Sequence, residues 1–477
     1  MTVASKPFFL FLAVTLVVYH LLRRRRDKYL FLTAASWVFY AWAAPQYLWV
    51  LLLLTGIDYA AGLKIAAAED ERTRHRWLTL SVVSNLGLLA AFKYTAFVYD
   101  SGLSLARLLG ADVPDRAWSI LLPLGISFHT FQGISYTVDV YRRQIPAVRS
   151  FVDYAFFVAF FPQLAAGPIV RAVEFLPQMA EPPAVTARQV TDGIALFVCG
   201  LFKKLVIADQ LDALFVTPVF ADPGAFDPAA HRWAVAAWAV QIYCDFSGYS
   251  DIAVGTAKWF GFELPGNFNL PYLATSIPDF WRRWHLSLST WLRDYLYFPL
   301  GGSRGSEART YLNLTLVFVL CGLWHGAAWN WLVYGLFNGL LMCAHRWYDR
   351  LLSGVGWASA MRASAGWKVV AWAGTAVLFL VGLILIRMDS WAGGWVLMQS
   401  LVGLGDQGTS VAAIPPAVPL LVALGLAGHV IGLLREVVRV GEWRLPDAVR
   451  TAGVAVGLAA VVVFSPGVGK TFIYIQF

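Results

Sequence analysis

Charge is what this sequence has least of. Only 14% of its 477 residues are Asp, Glu, Lys or Arg, against 58% hydrophobic. A water-soluble domain carries roughly 25% charged residues, so the shortfall excludes an ordinary soluble fold. Cysteine is scarce as well. Cys199, Cys244, Cys321 and Cys343 all lie in apolar surroundings, and none forms a CxxC pair. They read as small packed hydrophobes, with no disulfide framework and no metal site. The common catalytic signatures are missing. There is no GxSxG, no HExxH, no P-loop and no Rossmann fingerprint. No internal repeat, low-complexity tail, soluble domain or cleavable signal peptide is visible.

What the chain does have is a series of apolar segments rich in rings. It holds 21 Trp and 32 Phe, and Trp and Tyr favour the membrane–water interface, where an apolar ring and a polar tip are both satisfied. The net charge is +8. The Lys and Arg residues fall mostly in short loops between apolar segments, which marks a polytopic membrane protein and not a nucleic-acid binder. Segments 8–22, 29–43, 47–63, 77–98 and 120–140 each come near the roughly 20 residues needed to span a bilayer. The arginines at 23–26 follow the first segment, so the N-terminus is expected outside and the first loop inside. On the same rule the loops at 69–76 and 142–149 are cytoplasmic, and the one ending at Asp115 is external.

Several segments carry polar residues or breaks. His129, Gln132 and Asp139 in 120–140 are expected to face a bundle interior or a wet cavity; for His129 a structural, hydrogen-bonded role is the simplest reading. Pro162, Gly167 and Pro168 interrupt 151–183, which predicts a kinked or re-entrant pair. Lys203 and Lys204 interrupt 190–211 and are expected to snorkel to the interface. Asp245 and Asp251 lie six apart in 233–259, a spacing that does not share one helix face. Gly248 is expected to break the helix between them, leaving the carboxylates as caps and turns. Residues 310–323 and 331–342 form a hairpin with both ends cytoplasmic. Residues 369–386, 416–434 and 451–464 complete the set, with an external loop at 387–415. The fold class is an all-α polytopic membrane protein with roughly 11–13 transmembrane or re-entrant helices, in one domain spanning 1–477.

The densest chemistry lies at 278–304, PDFWRRWHLSLSTWLRDYLYFPLGGSR, and at 320–331, LCGLWHGAAWNW. Ionisable residues at membrane depth are costly and mark function by default. His285 and His325 each sit among tryptophans. Ser276 followed by Pro278 and Asp279 reads as a helix start. Trp281, His285, Leu288 and Leu292 then fall on one face of an amphipathic helix that also carries Arg282, Arg283 and Arg293. The topology separates the histidines: His285 on an interfacial, arginine-bearing helix, His325 at the inner end of an apolar hairpin. A buried imidazole is pushed toward its neutral, proton-accepting form, which suits a base that activates a hydroxyl for acyl transfer. A structural histidine at 325 fits these residues equally well.

PDFWRRWHLSLSTWLRDYLYFPLGG followed by GLWHGAAWNW resembles the core of the membrane-bound O-acyltransferase family, in its bacterial alginate and polysaccharide O-acetyltransferase branch. QIYCDFSGYSDIA, LPLGISFHTFQGISY, FFPQLAAGPIVR and the terminal FIYIQF are similar too, so the likeness runs along most of the chain and is densest over 121–335. It implies helices around a central funnel or tunnel, and a catalytic histidine at His325 with a second at His285. Asp279, Trp281, Arg282, Arg283, Trp284, Arg293, Trp324 and Asn330 become candidates for lining the donor path, the arginines by meeting donor phosphates. The resemblance also implies no bound cofactor, with acetyl-CoA or another acyl thioester as donor substrate. It places the chain in the bacterial inner membrane, handing acetyl groups to a periplasmic partner of the SGNH hydrolase type that acetylates a polysaccharide. D-alanyl transfer to an envelope polymer and membrane transport are the other readings the residues leave open.

Overall fold

Backbone polar groups have no water to bond inside a bilayer, so an apolar chain satisfies them within helices. The computed structural model describes residues 5–113, 123, 125–164, 167–180, 184–404, 413–438 and 446–465, and among these it contains helices and no strand. Among the described residues, four helices are long and apolar enough to cross a membrane: Pro45–Ala67, Ala365–Arg387, Ala417–Leu434 and Asp447–Phe464. A fifth candidate is Glu71–Lys93 with Thr95–Leu108, bent by 53°. The expected external loop after residue 98 is therefore helical as far as Leu108. Residues 391–401, expected in an external loop, also form a helix, capped where Ser390 Oγ accepts the Gly393 N–H at 3.1 Å. Arg439, Arg444, Asp115 and the terminal FIYIQF lie outside the described residues.

The chain divides into two units, residues 1–193 with 253–265, and residues 194–252 with 266–476. The first is built on rings. Phe156, Phe160, Phe161, Phe175, Phe260 and Phe262 are all buried and pack edge to face, tilted or stacked at 5–6 Å between centroids. The helix Phe151–Ala159 stops at Phe160, a four-residue turn follows, and 168–171 runs without helix, so the break at Pro162 and Pro168 is as expected. His129, Gln132 and Asp139 are all buried. A second polar knot is Asp58, whose Oδ1 accepts from Ser81 at 2.6 Å and Asn85 at 2.8 Å.

The second unit corrects three expectations. Lys203 and Lys204 do not snorkel. Lys204 is 1% exposed, 2.5 Å from Asp245 and 2.9 Å from Asp209, and Lys203 lies 2.6 Å from Asp251. The chain winds as π-helix over Phe202–Ala208 and Asp212–Val216, the wider winding that often marks functional or strained helix. Asp245 and Asp251 are not caps, and Gly248 breaks nothing, because Pro228–Trp259 is one unbroken helix. A Cβ at Gly248 would lie 2.8 Å from the Gly200 carbonyl oxygen, so the glycine permits close helix contact. The carboxylates are counter-ions, which is how buried charge becomes tolerable. A further pair, Arg387 to Asp212 at 2.8 Å, joins Ala365–Arg387 to the same winding stretch.

Candidate active site

The helix expected through 278–295 begins as read. Ser276 Oγ accepts the Asp279 N–H at 3.2 Å. It then stops at Trp281, after Ile277–Trp281, and resumes as Leu286–Leu292. His285 is the residue at the break, in the left-handed region with φ 45° and ψ 55°. A non-glycine residue pays about 1–2 kcal/mol for that conformation. The single face of Trp281, His285, Leu288 and Leu292 therefore does not form; the chain turns at 282–285 and presents His285 inward, 1% exposed.

His325 ends the helix Glu307–His325. The Gly326 N–H closes the last turn on the Gly322 carbonyl at 3.1 Å. Trp331, in the returning helix Trp329–Leu352, stacks on His325 at 5.4 Å and 25°. A Cβ at Gly326 would lie 2.0 Å from the Trp331 ring, so only glycine lets the indole cover the histidine.

The two histidines that the topology separated are neighbours. Their ring centroids are 6.1 Å apart, and Trp324 closes one side at 4.9 Å from His325 and 6.4 Å from His285. The break at 282–285 is the reason: a continuous helix would have carried His285 along its own axis. His285 lies outside the spanning helices, and burial first, then the nearby His325, holds its imidazole well below the ordinary value. It is neutral near pH 7, able to accept a proton at one nitrogen and donate at the other. His325 is only half-buried, so it is the more accessible of the two. One hydroxyl or water between two imidazoles bridges about this span with two hydrogen bonds.

Two of the three arginines meet on Asp279, and Arg293 pairs elsewhere. Arg283 donates to both Asp279 oxygens at 3.1 Å, Arg282 is 71% exposed and 3.9 Å from the same carboxylate, and Arg293 donates to Asp294 at 2.7 Å and 3.0 Å. Arg283 and Asp279 line an open cavity of about 720 Å³ with Lys368, His429, Tyr272 and Trp372. Trp284 is buried and stacks on Phe280 at 5.6 Å. Trp281 packs on Phe318 of the hairpin at 5.2 Å. Asn330 sits half-buried in the first turn after the hairpin bend. His429 escaped the sequence reading, although a histidine inside the apolar segment 416–434 was the same signal that singled out the others. Asn267, inside a stretch legible only as a structured loop, escaped it too. Among the described residues, no group of three or more His, Cys, Asp or Glu side chains is placed to hold a metal ion.

Comparison with known proteins gives the family of this helical membrane chain. The model of the membrane-bound O-acyltransferase family matches residues 135–386. The chain belongs to that family. It is 40% identical over 413 residues to the probable alginate O-acetylase of Azotobacter vinelandii, covering 85% of this chain and 79% of the relative. The corresponding protein of Pseudomonas aeruginosa is 41% identical over 85% of this chain and 75% of its own length. A peptidoglycan O-acetyltransferase of Helicobacter pylori is 36% identical over 83% and 78%. The chain is a multi-pass membrane O-acetyltransferase.

Proposed function

We propose that the chain takes an acetyl group from a cytoplasmic thioester, acetyl-CoA or a carrier-bound equivalent, and delivers it across the inner membrane for O-acetylation of an extracytoplasmic polysaccharide such as alginate. His325 is the base. It removes the proton of the accepting hydroxyl, whose oxygen attacks the thioester carbonyl; the C–S bond breaks and the thiolate takes up a proton. His285, neutral and at the far side of the same gap, orients the reacting group or relays that proton. Trp324 and Trp331 keep bulk water off the pair. Arg283 and Lys368, in one cavity on the arginine-bearing side, are suited to the donor's phosphates. A periplasmic partner of the SGNH hydrolase type receives the acetyl group and carries it to the polymer. The reading rests above all on the two imidazoles facing one another at 6.1 Å. Everted membrane vesicles given radiolabelled acetyl-CoA outside are expected to release free coenzyme A only when the partner domain and polymer are enclosed. Release from right-side-out vesicles alone would contradict the proposed direction.

A further inference from the structure

Left-handed backbone at a non-glycine residue persists only when its surroundings impose it. Around His285 the imposing residue is Asn267. The Asn267 carbonyl accepts the Leu286 N–H at 3.0 Å, immediately after His285. Two residues earlier, the Arg283 carbonyl accepts the Asn269 N–H at 2.9 Å. These two backbone bonds pinch the turn from both sides. The Asn267 side chain adds a third hold, because its Oδ1 accepts from Ser287 O–H at 2.6 Å and from Ser287 N–H at 3.3 Å. Its Nδ2 donates to Ser250 Oγ at 3.1 Å. Ser250 lies one turn after Phe246 on the helix Pro228–Trp259, and the Phe246 ring meets the His285 ring edge-on at 4.6 Å. One helix face therefore backs the imidazole and anchors the amide that holds its backbone. Asn267 is 2% exposed and every bond runs inward.

We infer that Asn267 is a positioning residue for acetyl transfer: it fixes the strained turn that aims His285 at His325, with Ser250 and Phe246 as its anchor. The inference rests on the paired-histidine reading of the site. A catalytic group displaced by about 1 Å costs on the order of 100-fold in rate. Asn267→Ala is expected to lower kcat for acetyl transfer by ten-fold or more with KM within two-fold. Ser250→Ala, which frees only the Nδ2 donor, is expected to lower kcat by a smaller factor in the same direction. Asn313→Ala is the control. It removes two hydrogen bonds, to the carbonyls of Leu300 and Gly302, the second of them buried, away from the turn, and is expected to cost similar thermal stability with kcat unchanged.

A second readout needs no acetyl transfer. Diethylpyrocarbonate labelling of the full-length protein in membranes, read residue by residue by mass spectrometry, is expected to rise at least five-fold at His285 in Asn267→Ala while labelling of His345 stays the same. Unchanged labelling at His285, or a kcat no lower than that of Asn313→Ala, would overturn the inference. Absence of transfer in the wild type would count against the acetyltransferase mechanism at this pair, and the labelling would still decide what Asn267 holds.

Discussion

At the scale of single residues, the site's two histidines are held by different devices. His325 is covered by Trp331 through Gly326, and Gly326→Ala is expected to force the indole off the imidazole. Overpacking of this kind costs about 1–3 kcal/mol, seen as a lower unfolding temperature in detergent together with loss of acetyl transfer. His285 makes a pH prediction. Its pKa in the folded protein is depressed below about 6.5 by burial, so the unfolded chain binds the proton more readily. Stability from this group is present above that value and is lost as pH falls below it. Melting temperatures followed from about pH 8 to pH 5 are expected to fall less steeply in His285→Gln than in wild type; equal slopes would contradict the burial. Both histidines stood out in the sequence by their tryptophan-rich settings in an otherwise apolar chain. Their adjacency was not. Regular helix periodicity put His285 on a continuous face with Leu288, and nothing local to 278–295 announces a left-handed residue at a position that is not glycine or asparagine. That conformation is imposed from Asn267, eighteen positions earlier, and long-range hydrogen bonds leave no periodic trace.

At the scale of elements, polar residues inside apolar helices were read correctly as inward-facing at His129, Gln132 and Asp139. They were misread at Lys203, Lys204, Asp245 and Asp251. Snorkelling and capping are the solutions open to one helix alone. Here each charge finds its opposite on another helix, and a single segment cannot reveal that. Lys204→Met leaves Asp209 and Asp245 buried without their shared cation, and breaking such a pair costs about 3–5 kcal/mol. The variant is expected to show sharply reduced stability in detergent, or failure to accumulate in the membrane. Arg282→Ala, in contrast, alters a 71% exposed side chain whose nearest carboxylate is 3.9 Å away, and is expected to leave stability unchanged in the same assay.

At the scale of the whole molecule, composition alone excluded a soluble fold, and the helix end at Ala159, the non-helical stretch 168–171 and the hairpin at 307–352 followed from proline, glycine and apolar runs. Orientation is the remaining expectation, and it rests on loop charge. Single cysteines placed in the loops at 23–24 and 69–70 are expected to react with a membrane-impermeant maleimide only after the membrane is opened, and one placed before residue 6 to react in intact cells. The central claim is that His325 performs the chemistry in a chain that folds without it. The most direct measurement is transfer of labelled acetyl from acetyl-CoA to the extracytoplasmic polymer in cells producing His325→Ala at wild-type membrane levels. Transfer reduced at least a thousand-fold, with an unchanged melting temperature, is the predicted result; transfer at the wild-type rate would contradict the account.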